Sequence, residues 1–318
     1  MQPAHALVKP PRVNPNGPAP APIAISGLSK RYGRLAAVNN LHLQAEPGEI
    51  LGFLGLNGAG KTTTIRILLD LLRPTGGSAA IFGHDCQSDG LRARSLIGYL
   101  PGEMGIYQNL TGRETLELLA GLNHRTVDPE YRRSLQERFE LDDAQLRRQL
   151  REYSTGMKRK LGLIQAFQAD PPLLILDEPT EGLDPLMQEA FYALLADVKR
   201  RGRTVFMSSH VLSEVERVCD RVALLRKGEL VLLSSMEEVR KLAARRVRVF
   251  FSEDVNVAPV LPAGHVLEES DPRFWQLRVE GLLGPLITLL STFPVRDIAV
   301  EEPRLEDVLI HYYREDTP

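Results

Sequence analysis

The sequence predicts an α/β fold: a mostly parallel sheet with flanking helices, a helical insertion, and a small α+β domain at the C-terminus. Short apolar runs alternate with helical stretches around a glycine-rich turn at 55–60, as they do when parallel strands are joined by crossover helices. The stretch 110–151 reads as helix, is rich in Arg and Glu, and contains no strand-like run. After about Arg240 the texture changes. Val247, Val249 and Phe251 alternate with other residues, as do Trp275, Leu277 and Val279, which is the period of half-buried strands.

Composition narrows the class. At roughly 100–200 residues per domain, the 318 residues allow one large domain with a small one. Hydrophobic residues at 43% and charged residues at 25% describe a globular chain. The 39 Lys+Arg against 41 Asp+Glu give a net charge of −2, which speaks against a nucleic-acid partner. No window approaches the roughly 18 consecutive apolar residues of a membrane span. Cys86 and Cys219 form neither a disulfide framework nor a zinc spacing. They are expected to be buried small hydrophobes in a reducing compartment.

The elements follow in order. Residues 1–22 hold seven prolines and are expected to be a disordered arm, without the layout of a signal peptide. Ile23–Ile25 and Leu41–Leu43 read as short strands. Ile50–Leu54 is an apolar run before glycines, the mark of a buried strand. A helix is expected from about Gly60 to Leu72, ended by Pro74 and Gly76-Gly77. Ala79–Phe82, Ile97–Leu100, Leu173–Leu176 and Thr204–Met207 are further strands, with a helix over Pro185–Arg201 between the last two. Arg221–Leu225 and Glu229–Leu233 pair as a hairpin through Lys227-Gly228. Beyond 240, a helix over Pro285–Leu290, a strand at Ile298–Val300 and a closing helix over Leu305–Tyr313 are expected. The run Arg245-Arg246-x-Arg248 is expected to be a solvated strand edge.

Gly55-Leu56-Asn57-Gly58-Ala59-Gly60-Lys61-Thr62 fits G-x-x-x-x-G-K-[ST]. Glycines at this spacing let backbone N–H groups of Asn57, Gly58, Gly60 and Thr63 curl around phosphate oxygens without a Cβ clash. The helix that starts here presents its N-terminal donors to the anion. Lys61 reaches the β- and γ-phosphates, and Thr62 ligates Mg2+. Leu173–Leu176 then leads into Asp177-Glu178. Asp177 at the strand end suits Mg2+, and Glu178 suits orientation or activation of an attacking water. His210 closes the next strand, on the sheet edge where ligands bind. It is placed to donate to the γ-phosphate or to Glu178.

GLNGAGKTT (55–63), YSTGMKRK (153–160), LLILDEP (173–179), EGLD (181–184) and SSH (208–210), in this order, resemble the ATP-binding subunits of ABC transporters. The resemblance covers about residues 23–235, and YSTGM is its most diagnostic part. It implies a P-loop NTPase core with an antiparallel β subdomain and a helical insertion at about 105–165. The ATPase domain would span 23–240, and an accessory domain 241–318. It implies ATP and Mg2+ as cofactors, a second ATPase subunit (a homodimer), an integral membrane permease, and a place on the cytoplasmic face of the membrane. Ser154 and Gly156 open a helix that would face the partner subunit's ATP, and Tyr32 matches the aromatic that stacks on adenine. Leu305-Glu306-Asp307-Val308-Leu309 and Tyr312-Tyr313 are similar to the C-terminal extension of drug- and ion-exporting members. The permease is expected to dock near Tyr107–Thr115.

Four positions depart from the family pattern. Leu56 stands for Pro, Thr155 for Gly and Met157 for Gln. Gly102 stands where the family places a Gln that touches Mg2+; Glu103 beside it is the candidate anionic substitute. The alternative reading is a soluble ABC-type ATPase that regulates a ribosome- or DNA-associated process. It is disfavoured by the single ATPase half, the lack of a long coiled-coil insertion and the near-neutral charge. A GTPase would need an Asn-Lys-x-Asp sequence, which the chain lacks.

Overall fold

A computed structural model describes residues 20–301 except 104, 106, 107, 123–125, 243 and 258. β1 (Ile23–Tyr32) and β2 (Leu35–Ala45) form one long antiparallel hairpin. β3 (Ile50–Leu54) leads into α1 (Lys61–Leu68). β4 (Gly76–Ile81) and β5 (His84–Asp85) complete an antiparallel sheet of order β2-β1-β4-β5. α2 (Gly90–Ser95) and β6 (Ile97–Leu100) follow. The helical insertion comprises α3 (Gly112–Leu122), α4 (Pro129–Arg138), α5 (Asp143–Leu146) and α6 (Thr155–Phe167).

β7 (Leu173–Asp177), α7 (Pro185–Arg200), β8 (Thr204–Ser209), α8 (Leu212–Val218), β9 (Arg221–Arg226) and β10 (Glu229–Ser235) return the chain to the main sheet. That sheet has the order β10-β9-β3-β8-β7-β6. Its strands are parallel except β10, which forms a hairpin with β9. β3 and β7 are buried at every position, as strands covered on both faces must be. Their side chains alternate between two cores. Ile50, Leu54, Leu174 and Leu176 join the insertion helices and α7. Leu51, Phe53, Leu173 and Ile175 join α1 and the antiparallel sheet. α6 comes so close to β6 that a Cβ on Gly98 would lie 2.2 Å from the Ala166 carbonyl.

After α9 (Met236–Leu242), a third sheet forms from β11 (Arg245–Phe251), β12 (His265–Asp271), β13 (Phe274–Val279) and β14 (Val295–Glu301), with α10 (Gly284–Leu290) against one face. Its order is β12-β13-β11-β14. Its core centres on Trp275, whose ring meets Phe251 at 4.7 Å and Phe293 at 5.0 Å.

The structure corrects several expectations. The short strands expected at 23–25 and 41–43 belong to the longer β1 and β2. α1 ends at Leu68, not Leu72, because Asp70 takes a left-handed φ of 56° and the Leu71 N–H turns back to the Arg66 carbonyl. β12 carries no apolar alternation in its second half, so periodicity did not reveal it. β11 lies between β13 and β14, so Arg245, Arg246 and Arg248 are not on an edge. Arg246 meets Glu268 and Arg248 meets Glu301 across the polar face. Both cysteines are buried and free; burial pushes the Cys86 thiol up to about 12 and the Cys219 thiol up as well. Residues 1–19 of the expected arm and the expected helix at 305–313 lie outside the described residues. At the arm's end, Ala21 accepts from the Phe82 N–H.

Candidate active site

The C-terminal ends of β3, β7 and β8 lie side by side, so the segments that leave them share one edge of the sheet. There they border an open cleft of about 710 Å3. It is lined by Asn57, Gly58 and Gly60 from the glycine-rich turn and by Lys61, Thr62 and Thr63 from the start of α1. Gly102, Glu103, Asp177, Glu178 and His210 face them.

Gly60 has φ 109°, and a Cβ there would stand 2.3 Å from the Ala37 carbonyl, so only glycine fits this turn. No side chain caps α1, which leaves its first-turn N–H donors for a ligand. Lys61 is 6% exposed. Its Nζ donates to the Gly55 carbonyl at 2.5 Å and stands 3.4 Å from Glu178 Oε1. Thr62 Oγ1 donates to Asp177 Oδ2 at 3.3 Å.

Glu178 takes a left-handed φ of 49°, uncommon for a residue with a side chain. That turn sends its carboxylate back toward Lys61. Its other oxygen, Oε2, lies 2.8 Å from His210 Nδ1. Ser208 braces the pair: its hydroxyl donates to Asp177 Oδ1 and accepts from the Glu178 N–H at 3.1 Å. Glu214, buried, accepts from the hydroxyls of Thr180 and Ser209, which ties the turn after Glu178 to the segment that carries His210. Tyr99 sits beneath; burial and the Asp177 charge push its phenol up to about 12.

The donor set suits a hard cation. Thr62 and Asp177 offer oxygens only, and no cluster of three His, Cys, Asp or Glu is present among the described residues. Thr62 and Asp177 would hold such an ion, and Mg2+ favours this kind of all-oxygen site. At position 102 a Cβ would point to Asp177 Oδ2 at 3.5 Å, so the missing Gln side chain would have entered this spot. Glu103 is exposed and lines the same cleft.

Three of the candidate residues are elsewhere. Tyr32 ends β1, is 50% exposed and lies under the Lys30 ammonium at 5.2 Å; it does not line the cleft. Ser154 caps α6 by accepting from the Met157 N–H at 3.2 Å. Gly156 follows it, and neither lines the cleft. Ser208, Glu214 and Arg159 received no role from the sequence. Arg159 is 3% exposed on α6; its signal was a basic residue one turn before Leu163, on a helix face that is otherwise apolar.

The family described as ABC transporter matches residues 38–181. A daunorubicin resistance ATP-binding protein of Streptomyces coeruleorubidus is 32% identical over 92% of this chain and 96% of its own length. The chain belongs to the ABC transporter ATP-binding proteins. A bacitracin transport ATP-binding protein of Bacillus licheniformis is 37% identical over 91% of this chain and 96% of its own. A solved ATP-binding subunit of an ABC transporter is 31% identical with a TM-score of 0.65, covering 69% of this chain and 92% of that one. A dimeric ATP-binding cassette bound to ADP and Pi, at 23% identity and TM-score 0.61, covers 67% of this chain and 98% of its own. It shares the fold, that of the P-loop NTPases. As an ABC ATPase, this chain is an ATP-binding subunit. No helix among its described residues is long and apolar enough to cross a membrane.

Proposed function

We propose that this chain is the ATP-hydrolysing motor subunit of an exporter. In this reading it forms a homodimer around ATP and Mg2+ and drives a separate membrane permease from the cytoplasmic face. The observation that carries the proposal is the meeting of Lys61, Asp177, Glu178 and His210 in one cleft. Export is supported by the drug-resistance and bacitracin-transport names of the two relatives.

The residues divide the work by chemistry. The glycine-rich turn and the start of α1 hold phosphate oxygens with backbone donors. Lys61 neutralises the charge that grows on the phosphoryl group. Thr62 and Asp177 would hold Mg2+, which supplies charge neutralisation at the phosphates. Glu178 orients the attacking water and accepts its proton, while His210 holds the carboxylate through Oε2. No covalent intermediate is needed, because positioning and charge stabilisation account for phosphoryl transfer to water. Ser154 and Gly156 would close on the partner's nucleotide. The permease would dock between the core and the insertion, near 107–115, of which Tyr107 lies outside the described residues. Residues 241–318 would form an accessory domain.

Glu178→Gln tests this reading. MgATP affinity should stay within about twofold, while hydrolysis falls by roughly 10²–10⁴, the usual contribution of a general base. The variant should also accumulate as an ATP-bound dimer on size exclusion. Hydrolysis at the wild-type rate would remove Glu178 from the role.

A further inference from the structure

Arg159 is a charged residue buried to 3% exposure on the inner face of α6, with no carboxylate within salt-bridge distance among the described residues. A guanidinium has five N–H donors in a planar fork. Here they meet five acceptors, all of them backbone carbonyls. Nε donates to Pro179 at 3.2 Å. One terminal nitrogen donates to Pro101 at 2.7 Å and Gly102 at 3.2 Å. The other donates to Asp177 at 3.2 Å and to Glu178. Three chain segments thus meet at one side chain: α6, the turn after β6, and the turn after β7. Burial lowers the Arg159 pKa, and the charges of Glu181, Asp177 and Glu178 oppose that shift.

We infer that Arg159 is a positioning residue for hydrolysis: it clamps the peptides on either side of Glu178 in their left-handed turn and ties them rigidly to the helix that Ser154 opens. The inference rests on the reading of Glu178 as the residue that orients water. The carbonyls of Asp177 and Glu178 flank the residue with φ 49°. A cation that holds both carbonyls fixes the rotation of those peptides, and with it the direction in which the carboxylate leaves the backbone. The link also replaces one the chain lacks. Gly102 has no side chain to reach Asp177, so the 101–102 turn is joined to the carboxylates through its own carbonyls and Arg159. A shift of α6 on partner engagement therefore moves the Glu178 turn with it.

The test uses the full-length chain with Arg159→Gln and Arg159→Lys, alone and combined with Glu178→Gln. Lysine keeps the charge but has three donors for five carbonyls. MgATP affinity should stay within about threefold of wild type in both single variants. The kcat should fall about 10²-fold in Arg159→Gln, the cost expected for a reacting group misplaced by an ångström, and by less in Arg159→Lys. In the Glu178→Gln background neither substitution should reduce the residual hydrolysis further, because the group it positions is already gone. A merely structural role would instead add its loss in both backgrounds and would raise the Kd. If Arg159→Gln does not fold, Arg159→Lys in the two backgrounds decides. Wild-type kcat in either folded variant, or full additivity with Glu178→Gln, overturns the inference. Wild-type hydrolysis by Glu178→Gln alone would instead bring down the reading it rests on.

Discussion

Lys61 holds its ammonium between the Gly55 carbonyl and the Glu178 carboxylate, ready to exchange a protein oxygen for a phosphate oxygen. Charge-assisted hydrogen bonds are worth roughly 1.5–3 kcal/mol each. Lys61→Ala should therefore weaken MgATP binding by at least about tenfold in calorimetric titration; unchanged affinity would remove the phosphate-cradle reading of 55–63. At this scale the sequence was most legible where spacing is tied to chemistry. Lys61, Thr62, Asp177 and Glu178 stand next to a glycine turn or at a strand end, so their approach could be read from the chain. Ser208 and Arg159 act on backbone groups of distant segments. Nothing local names the partner of such a bond, since any segment offers carbonyls. Tyr32 was marked by the family resemblance alone, and it is not among the residues that line the cleft.

Elements were legible in proportion to their burial on two faces. β3 and β7 are apolar at nearly every position because helices and a second sheet cover them, and both stand where the apolar runs predicted. β12 has only His265 buried, so no pattern betrayed it. The end of α1 depended on one left-handed aspartate, Asp70, which no propensity scale anticipates. The third sheet offers a prediction of its own. Its core closes on Trp275 with Phe251 and Phe293 and shares no member with the other two cores. Trp275→Ala should cost that core about 3–5 kcal/mol, while the residues lining the cleft all precede position 211. Limited proteolysis should then cut beyond residue 240, and MgATP affinity should persist. Because the chain has one tryptophan, wild-type emission during thermal unfolding should follow this sheet alone. Loss of MgATP binding in the variant would show that 241–318 is not a separate accessory domain.

In the proposed reading the whole molecule has two phosphate-binding features, and they do not share one cleft. The cleft holds Lys61 and Glu178, and the α6 terminus with Ser154 lies outside it. If a complete site needs both, no single chain can supply one, and a two-fold dimer supplies two. This can be tested without a permease. Ser154→Asp keeps a good helix cap but sets a carboxylate against the partner's phosphates. Lys61→Ala disables the cleft of its own chain and leaves Ser154 intact. Each variant alone should be nearly inactive, because each of its sites lacks one half. Mixed in equal amounts, half of the dimers pair one variant with the other. Each such dimer has one intact site, made of Lys61 from one chain and Ser154 from its partner, and one doubly damaged site. With independent turnover, steady-state hydrolysis should recover to about a quarter of wild type, with a maximum at the equimolar mixture. A flat response at every ratio would mean that each chain hydrolyses ATP with its own residues, and the composite-site dimer would have to be abandoned.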